Sequence, residues 1–200
     1  MEKSFWDEKF DKEEYIYGTA PNAFFAEKLL GIENQGKLLL PGEGEGRNAV
    51  FAARNGWEAI ACDQSYIGRK KARALAEKYE VSLRYDLCSV AEMPYAKESM
   101  DAVGLFYIHV MPGIRPKFHS DVQAILKPGG HLILEFFHKE QLGRSSGGPK
   151  SEELLYTVEL LKEEFPRIDF SQLEKKKVQL SEGAHHKGEA VVIRGFGVKK

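Results

Sequence analysis

The sequence predicts an α/β fold: a doubly wound, mainly parallel sheet with helices on both faces. Three observations carry this. Between residues 36 and 137, short apolar runs alternate with segments whose apolar residues recur at helical spacing. The first three apolar runs end on turn-forming or acidic residues, at Pro41-Gly42, Asp63 and Asp86. The last part of the chain changes pattern. Residues 168–180 and 189–198 read as two strands joined near Gly183 to Gly188, an antiparallel hairpin.

The elements follow in order. Residues 3–17 mix acids and lysines with Phe5, Trp6, Phe10, Tyr15, Ile16 and Tyr17, which suits a lid. A turn over residues 17–22 leads into a helix, with Thr19 as its cap, Pro21 in its first turn, and Phe25 and Leu29 on one face. Leu38-Leu39-Leu40 is a buried strand, and residues 47–55 form a helix stopped by Gly56. Residues 59–62 are the second strand. Ala72, Leu75, Ala76 and Tyr79 mark the next helix, and residues 81–85 the third strand. Residues 102–108 are the fourth. Ile114, Phe118, Val122, Ile125 and Leu126 form a helical stripe stopped by Lys127-Pro128-Gly129-Gly130, and residues 131–137 are the fifth strand. Residues 138–150 are polar and glycine-rich, a mobile loop. Leu154, Val158, Leu161 and Phe165 form one helix, and Lys175-Lys176-Lys177 a solvated strand edge. The expected organisation is one domain: an N-terminal lid over 1–35, a ligand-binding core over 36–140, and a substrate loop, helix and hairpin over 141–200.

Composition narrows the function. A 200-residue chain with 42% hydrophobic residues suits one domain with its own core. Lys+Arg total 29 and Asp+Glu 30, for a net charge of −1, which argues against broad electrostatic binding to nucleic acid or anionic membrane. The two cysteines, Cys62 and Cys88, make no disulfide framework. No run of eighteen apolar residues is present, and the N-terminal residues are too charged for a signal peptide. A cytoplasmic monomer or homodimer acting on a small molecule is expected, with no nucleic-acid or membrane partner.

The strongest local signal is Pro41-Gly42-Glu43-Gly44-Glu45-Gly46-Arg47-Asn48, between a strand and a helix. In an open parallel sheet, ligands sit beyond the carboxyl ends of the strands, where such a turn lies. The dinucleotide spacing G-x-G-x-x-G is not met, because Arg47 stands at the third glycine position. No Gly-Lys-Ser/Thr follows, so a P-loop is excluded. Glu43 and Glu45 would repel a pyrophosphate and tolerate a cationic ligand such as S-adenosylmethionine. Asp63, at the end of the second strand, is placed to accept from a ribose diol. Asp86 ends the third strand, where it or a neighbouring amide would meet an adenine.

The architecture over about residues 36–140 resembles the class I S-adenosylmethionine-dependent methyltransferases. Within them it is similar to the tellurite-resistance and thiopurine-methyltransferase-like group. The residues that carry the resemblance run from Gly44-Glu45-Gly46-Arg47-Asn48 through Asn55-Gly56-Trp57, then Asp63-Gln64-Ser65 and Lys127-Pro128-Gly129-Gly130. Phe5-Trp6-Asp7-Glu8-Lys9-Phe10 looks like that group's opening segment, which folds over the cofactor. The resemblance implies a Rossmann-like seven-stranded sheet. The expected cofactor contacts are Tyr17, Gly42, Glu43, Gly44, Asn48, Asp63, Gln64, Asp86, Leu87 and Phe106. One departure is Leu40, where the class often has an acid; Glu43 is expected to supply that charge.

Methyl transfer needs alignment and exclusion of water, and a base only when the acceptor carries a proton. His109, after the fourth strand, is the candidate nearest the transferred methyl. His185 is a second candidate, since the resemblance implies a catalytic histidine in the late segment. His185-His186 lacks a third ligand at metal-binding spacing, so no metal is expected. Arg144 and Arg194, with Arg115, are candidate anion binders for the substrate. The expected reaction is methyl transfer to a small molecule, with a thiol or a tellurium or selenium oxyanion as acceptor. An O- or N-methyltransferase and a catalytically silent cofactor-binding module stay open, and a nicotinamide oxidoreductase is a distant third.

Overall fold

A computed structural model describes residues 3–200. Two short helices, α1 (Lys3–Phe10) and α2 (Ala23–Leu30), precede the sheet. The core then runs β1 (Lys37–Pro41), α3 (Arg47–Arg54), β2 (Glu58–Asp63), α4 (Tyr66–Lys78), β3 (Arg84–Leu87), β4 (Met100–Phe106), α5 (Arg115–Ile125) and β5 (Leu126–Phe137). Helix α6 (Val158–Glu164) leads into the hairpin β6 (Ile168–Glu182) and β7 (His186–Lys199). The sheet order is β3-β2-β1-β4-β5-β7-β6. Strands β1 to β5 pair in parallel, β7 is antiparallel to β5, and β6 is antiparallel to β7.

Successive strand residues face opposite layers, which is why the strands are apolar throughout. Leu38, Leu40, Ala102 and Ile133 pack against Phe24, Phe25, Ala49 and Ala72 on the layer of α2 to α4. Leu39, Val103, Leu105 and Leu132 face Phe118, Val122, Leu161 and Phe165 on the layer of α5 and α6. Among the described residues, no helix is long and apolar enough to cross a membrane.

Several boundaries differ from the sequence expectation, each for a local reason. Helix α2 is capped by Asn22 rather than Thr19, and the Asn22 side chain accepts from the Phe25 amide at 2.9 Å. Strand β3 starts at Arg84 because the chain caps α4 first: the Val81 amide donates to the Ala76 carbonyl, and Glu80 takes a φ of 55°. Lys127-Pro128-Gly129-Gly130 lies inside β5 rather than before it, and the β4–β5 register shifts between Met100 and Ala102 to accommodate it. The helix expected from Leu154 to Phe165 is split. Tyr156 runs extended, donating its amide to the Phe137 carbonyl and accepting from the Lys139 amide. The segment 138–150, expected as a mobile loop, is pinned. Gln141 donates to Ser146 and Gly147 and accepts from the Val191 amide, and the Ser146 hydroxyl donates to the Glu189 carbonyl.

Candidate active site

The carboxyl ends of β1, β2 and β3 are level, with Pro41 opposite Cys62, Cys62 opposite Asp86 and Asp63 opposite Leu87. The connections diverge between β1 and β4, which opens the crevice where ligands of such sheets bind. The glycine turn fills the near wall. Gly42 has a φ of +61°, and a Cβ there would stand 3.1 Å from Ile108 at the end of β4. Gly46 has a φ of +89°, and a Cβ would stand 2.5 Å from that of Ala72, so glycine lets α3 and α4 meet.

Three carboxylates hold the turn, each in a different way. Asp63 accepts from the Gly44 amide at 3.1 Å and the Ser65 amide at 2.9 Å, while burial raises its pKa. Glu43 accepts from the amides of Asn48 and Ala49 at 2.7 and 2.8 Å, so it caps α3; burial pushes its carboxyl up to about 7. Glu45 points the other way. It pairs with Lys71 and accepts from the amides of Ile16 and Tyr17. The sequence treated Glu43 and Glu45 as one repulsive pair facing a ligand. The structure separates them: Glu45 is neutralised within the fold, and Glu43 turns to the N-terminus of α3.

The N-terminal segment closes this wall. Asp7 accepts from the Ser65 hydroxyl at 2.6 Å and the Ile67 amide at 3.1 Å, at the start of α4. A Cβ at Gly44 would stand 2.9 Å from the Phe10 ring, on which Trp6 stacks at 5.4 Å. Tyr17 is held by Lys9, which donates to its hydroxyl at 2.7 Å, and by Arg47, which donates to its carbonyl at 3.2 Å.

The far wall is the end of β4. Tyr107 adopts a φ of 53°, a conformation that L side chains reach at some cost, and such strain gathers at working sites. Its hydroxyl donates to Glu135. Glu135 also pairs with Arg194 and accepts from the Asn22 amide group, which reaches Glu182 as well. Glu182 in turn pairs with Arg47 at 2.9 Å and lies 3.4 Å from Nδ1 of His186. Burial opposes its charge, yet His186 and Arg47 hold the Glu182 carboxyl below the usual range. His186 is buried against Tyr17, Tyr107 and Phe137, with ring centroids 4.6, 4.4 and 5.3 Å away; burial lowers its pKa. His109 stacks on Phe137 at 5.7 Å, and burial depresses its pKa to about 4.

The remaining expected residues fall as follows. Asn48 is buried between Glu43 and the Asn22 amide. Gln64 follows Asp63, and Leu87 is partly exposed at the end of β3. Asp86 pairs with Arg84 and accepts from the Tyr95 hydroxyl at 3.0 Å. The Phe106 ring lies in the core against Phe25 at 5.1 Å, so it offers the crevice backbone rather than ring. Arg194 is committed to Glu135 and packs over Phe24, and Arg115 is committed to Glu164. Arg144 pairs with Glu189 on the surface, beside a cleft of about 670 Å³ that His185 also lines. His185 is exposed in the hairpin turn; its neighbour His186 turns inward. Sequence reasoning missed His186, Tyr107, Glu135 and Glu182. Strand alternation would have flagged one histidine of the pair as inward-facing, but not which.

The chain's likenesses agree with this geometry. Residues 39–130 match the family model described as a methyltransferase domain. No curated protein matches significantly. Among solved structures, one from work on the conversion of a disulfide bond into a thioacetal group during echinomycin biosynthesis is similar at 13% identity and a TM-score of 0.78, covering 99% of this chain and 92% of that one. TehB from Haemophilus influenzae is similar at 14% identity and a TM-score of 0.75, covering 99% and 67%. The Burkholderia thailandensis 1,6-didemethyltoxoflavin-N1-methyltransferase, solved with its substrate and S-adenosylhomocysteine, is similar at 17% identity and a TM-score of 0.69, covering 98% and 84%. At these identities the structures speak for the fold. The fold is that of the class I S-adenosylmethionine-dependent methyltransferases, and residues 39–130 match a methyltransferase domain.

The residues present suit that cofactor. The end of β2 carries Asp63, whose carboxylate suits a diol or a cation better than a pyrophosphate. An ionised carboxylate has about four acceptor positions. Asp63 therefore retains capacity beyond its amide partners Gly44, Gln64 and Ser65.

Proposed function

We propose that this chain methylates a small acceptor at the end of β4, enclosed by the N-terminal segment and the β6–β7 turn. The supporting observation is the contact of Tyr17 with His186, which joins the two covers over that strand end. A site closed from both sides suits a small molecule. When bound, S-adenosylmethionine supplies an electrophilic methyl on a sulfonium. Gly42, Glu43, Gly44 and Asp63 would hold it, with Gln64, Asp86 and Leu87 at its adenosine end. Tyr17, His109 and His186 position the acceptor and exclude water, which is most of what this displacement requires. The acceptor classes to be separated within this reading are a thiol, a hydroxyl and a tellurium or selenium oxyanion.

Calorimetry with S-adenosylhomocysteine and NADH, followed by a screen for S-adenosylhomocysteine release across thiols, tellurite, selenite, alcohols and amines, tests the reading. Binding of S-adenosylhomocysteine and not NADH is expected, with affinity falling by about 1–3 kcal/mol in Asp63→Ala, the scale of hydrogen bonds lost from a charged group. Tight NADH binding, or cofactor binding without turnover of any acceptor, would overturn it.

A further inference from the structure

The tautomer of His109 points to a base and to the kind of acceptor. Nδ1 of His109 lies 2.8 Å from the Leu154 carbonyl oxygen. A carbonyl only accepts, so Nδ1 carries the proton and Nε2 presents a lone pair. The partner is well fixed: Leu154 ends a short 3₁₀ turn, and Tyr156 ties the next residues to Phe137. The ring is held between Phe137 and Tyr156, at 5.7 and 5.9 Å. Nε2 is buried and has no hydrogen-bond partner among the described residues. Nε2 of His119 and Nδ1 of His131 are also buried without a partner, while Nδ1 of His119 pairs with Glu164. His119, though, lies on α5 against Phe118 and Phe165, and His131 lies within β5 opposite Ala102. His109 alone of the three stands just past the carboxyl end of β4, where the acceptor is placed.

We propose that Nε2 of His109 is the general base of the transfer, and that the acceptor is a neutral protic group, a thiol or hydroxyl, rather than an oxyanion. This rests on reading the end of β4 as the acceptor site. The acceptor's S–H or O–H satisfies the orphaned lone pair, whereas an oxyanion would meet a second lone pair in a dry site. The acceptor's electron pair forms the bond to the methyl carbon. The pair of the broken carbon–sulfonium bond stays on the departing thioether. The acceptor proton passes to Nε2 and then to water. A weak base suffices, because the acceptor proton becomes strongly acidic as the new bond forms. The titratable groups around the ring are His186 from β7 and Tyr156. Burial and the neighbouring His186 keep the imidazole neutral at physiological pH.

The first test is ¹⁵N-histidine NMR of the full chain, with the His109 signals assigned by their loss in His109→Asn. A pyrrole-type Nδ1 and a pyridine-type Nε2, constant across neutral pH, are expected. A protonated Nε2 would overturn the proposal. The second test is kinetics of His109→Asn, whose amide N–H can keep the Leu154 bond while removing the base. For protonated thiols, kcat/KM is expected to fall about 10²–10⁴-fold, with S-adenosylhomocysteine affinity unchanged. The loss is expected to shrink once pH exceeds the thiol's own pKa. Equal losses for protonated and ionised acceptors, or a wild type that methylates selenite or tellurite and no protic acceptor, would overturn the proposal. A wild type that binds no S-adenosylhomocysteine would overturn the methyltransferase reading itself, and the NMR tautomer would then stand without a reaction.

Discussion

Replacing Glu45 with alanine tests whether the N-terminal cover is clamped to the glycine turn. The carboxylate is buried and accepts from the Ile16 amide at 2.8 Å and the Tyr17 amide at 3.4 Å. Alanine leaves the buried Ile16 amide without that acceptor and removes the weaker bond to Tyr17. Leaving one buried donor unsatisfied costs about 1–3 kcal/mol. Lys71 loses its ion partner but is not stranded, because it also donates to the carbonyls of Lys12 at 3.0 Å and Glu14 at 2.6 Å. The total is therefore put at about 2–4 kcal/mol, centred below the roughly 3–5 kcal/mol of a stripped ion pair with no other partner. In a chain of this size that lowers Tm by roughly 4–16 °C. Thermal unfolding measures the total, and hydrogen exchange at Ile16 locates it. A variant with wild-type Tm and wild-type protection at Ile16 would refute the clamp. Faster exchange at Ile16 with little loss of global stability would show that the cover opens as a separate unit.

Glu43 gives a pH prediction. Its folded pKa of about 7 lies above its ordinary value of 4.5, so the folded state binds more protons between those values, and stability falls as pH rises through that window. The full shift corresponds to about 3 kcal/mol; urea unfolding of Glu43→Gln is expected to match wild type near pH 5 and to exceed its stability above pH 7. Gly46→Ala combines a left-handed backbone with a Cβ placed against Ala72; a loss of about 2–5 kcal/mol in thermal or urea unfolding is expected from strain plus overpacking. His186→Ala removes a buried ring packed on three aromatics and is expected to lose about 2–4 kcal/mol, whereas His185→Ala at the exposed turn is expected to stay within about 0.5 kcal/mol of wild type; equal effects in denaturation would refute the inward placement of His186.

The layered parallel sheet was legible because its cause is local. Leu38-Leu39-Leu40 is apolar at every position because both faces of a central strand are covered, and Pro41-Gly42 must turn where the strand ends. The strand-end acids Asp63 and Asp86 were legible for the same reason, since position along the chain fixes position along the sheet. The helix start at Asn22 was not legible. Thr19 and Asn22 are both competent caps, and the choice depends on Asn48 and Glu135, which lie far along the chain.

The sequence by itself determined the alternation of elements, the glycine turn and its place at the first strand end. Those follow from side-chain period and backbone sterics, which act between near neighbours. Only the tertiary structure decided what each polar group does. Glu43 and Glu45 are two residues apart, yet one caps α3 and the other clamps the N-terminal segment. His185 and His186 are adjacent, yet one is exposed and the other lies against Tyr17 and Tyr107. Arg194 sits on a strand whose register places it opposite Glu135, with which it pairs. A buried charge or hydrogen-bonding group takes its role from partners, and those partners are brought together only when β5, β6 and β7 pair and the N-terminal segment closes over β1.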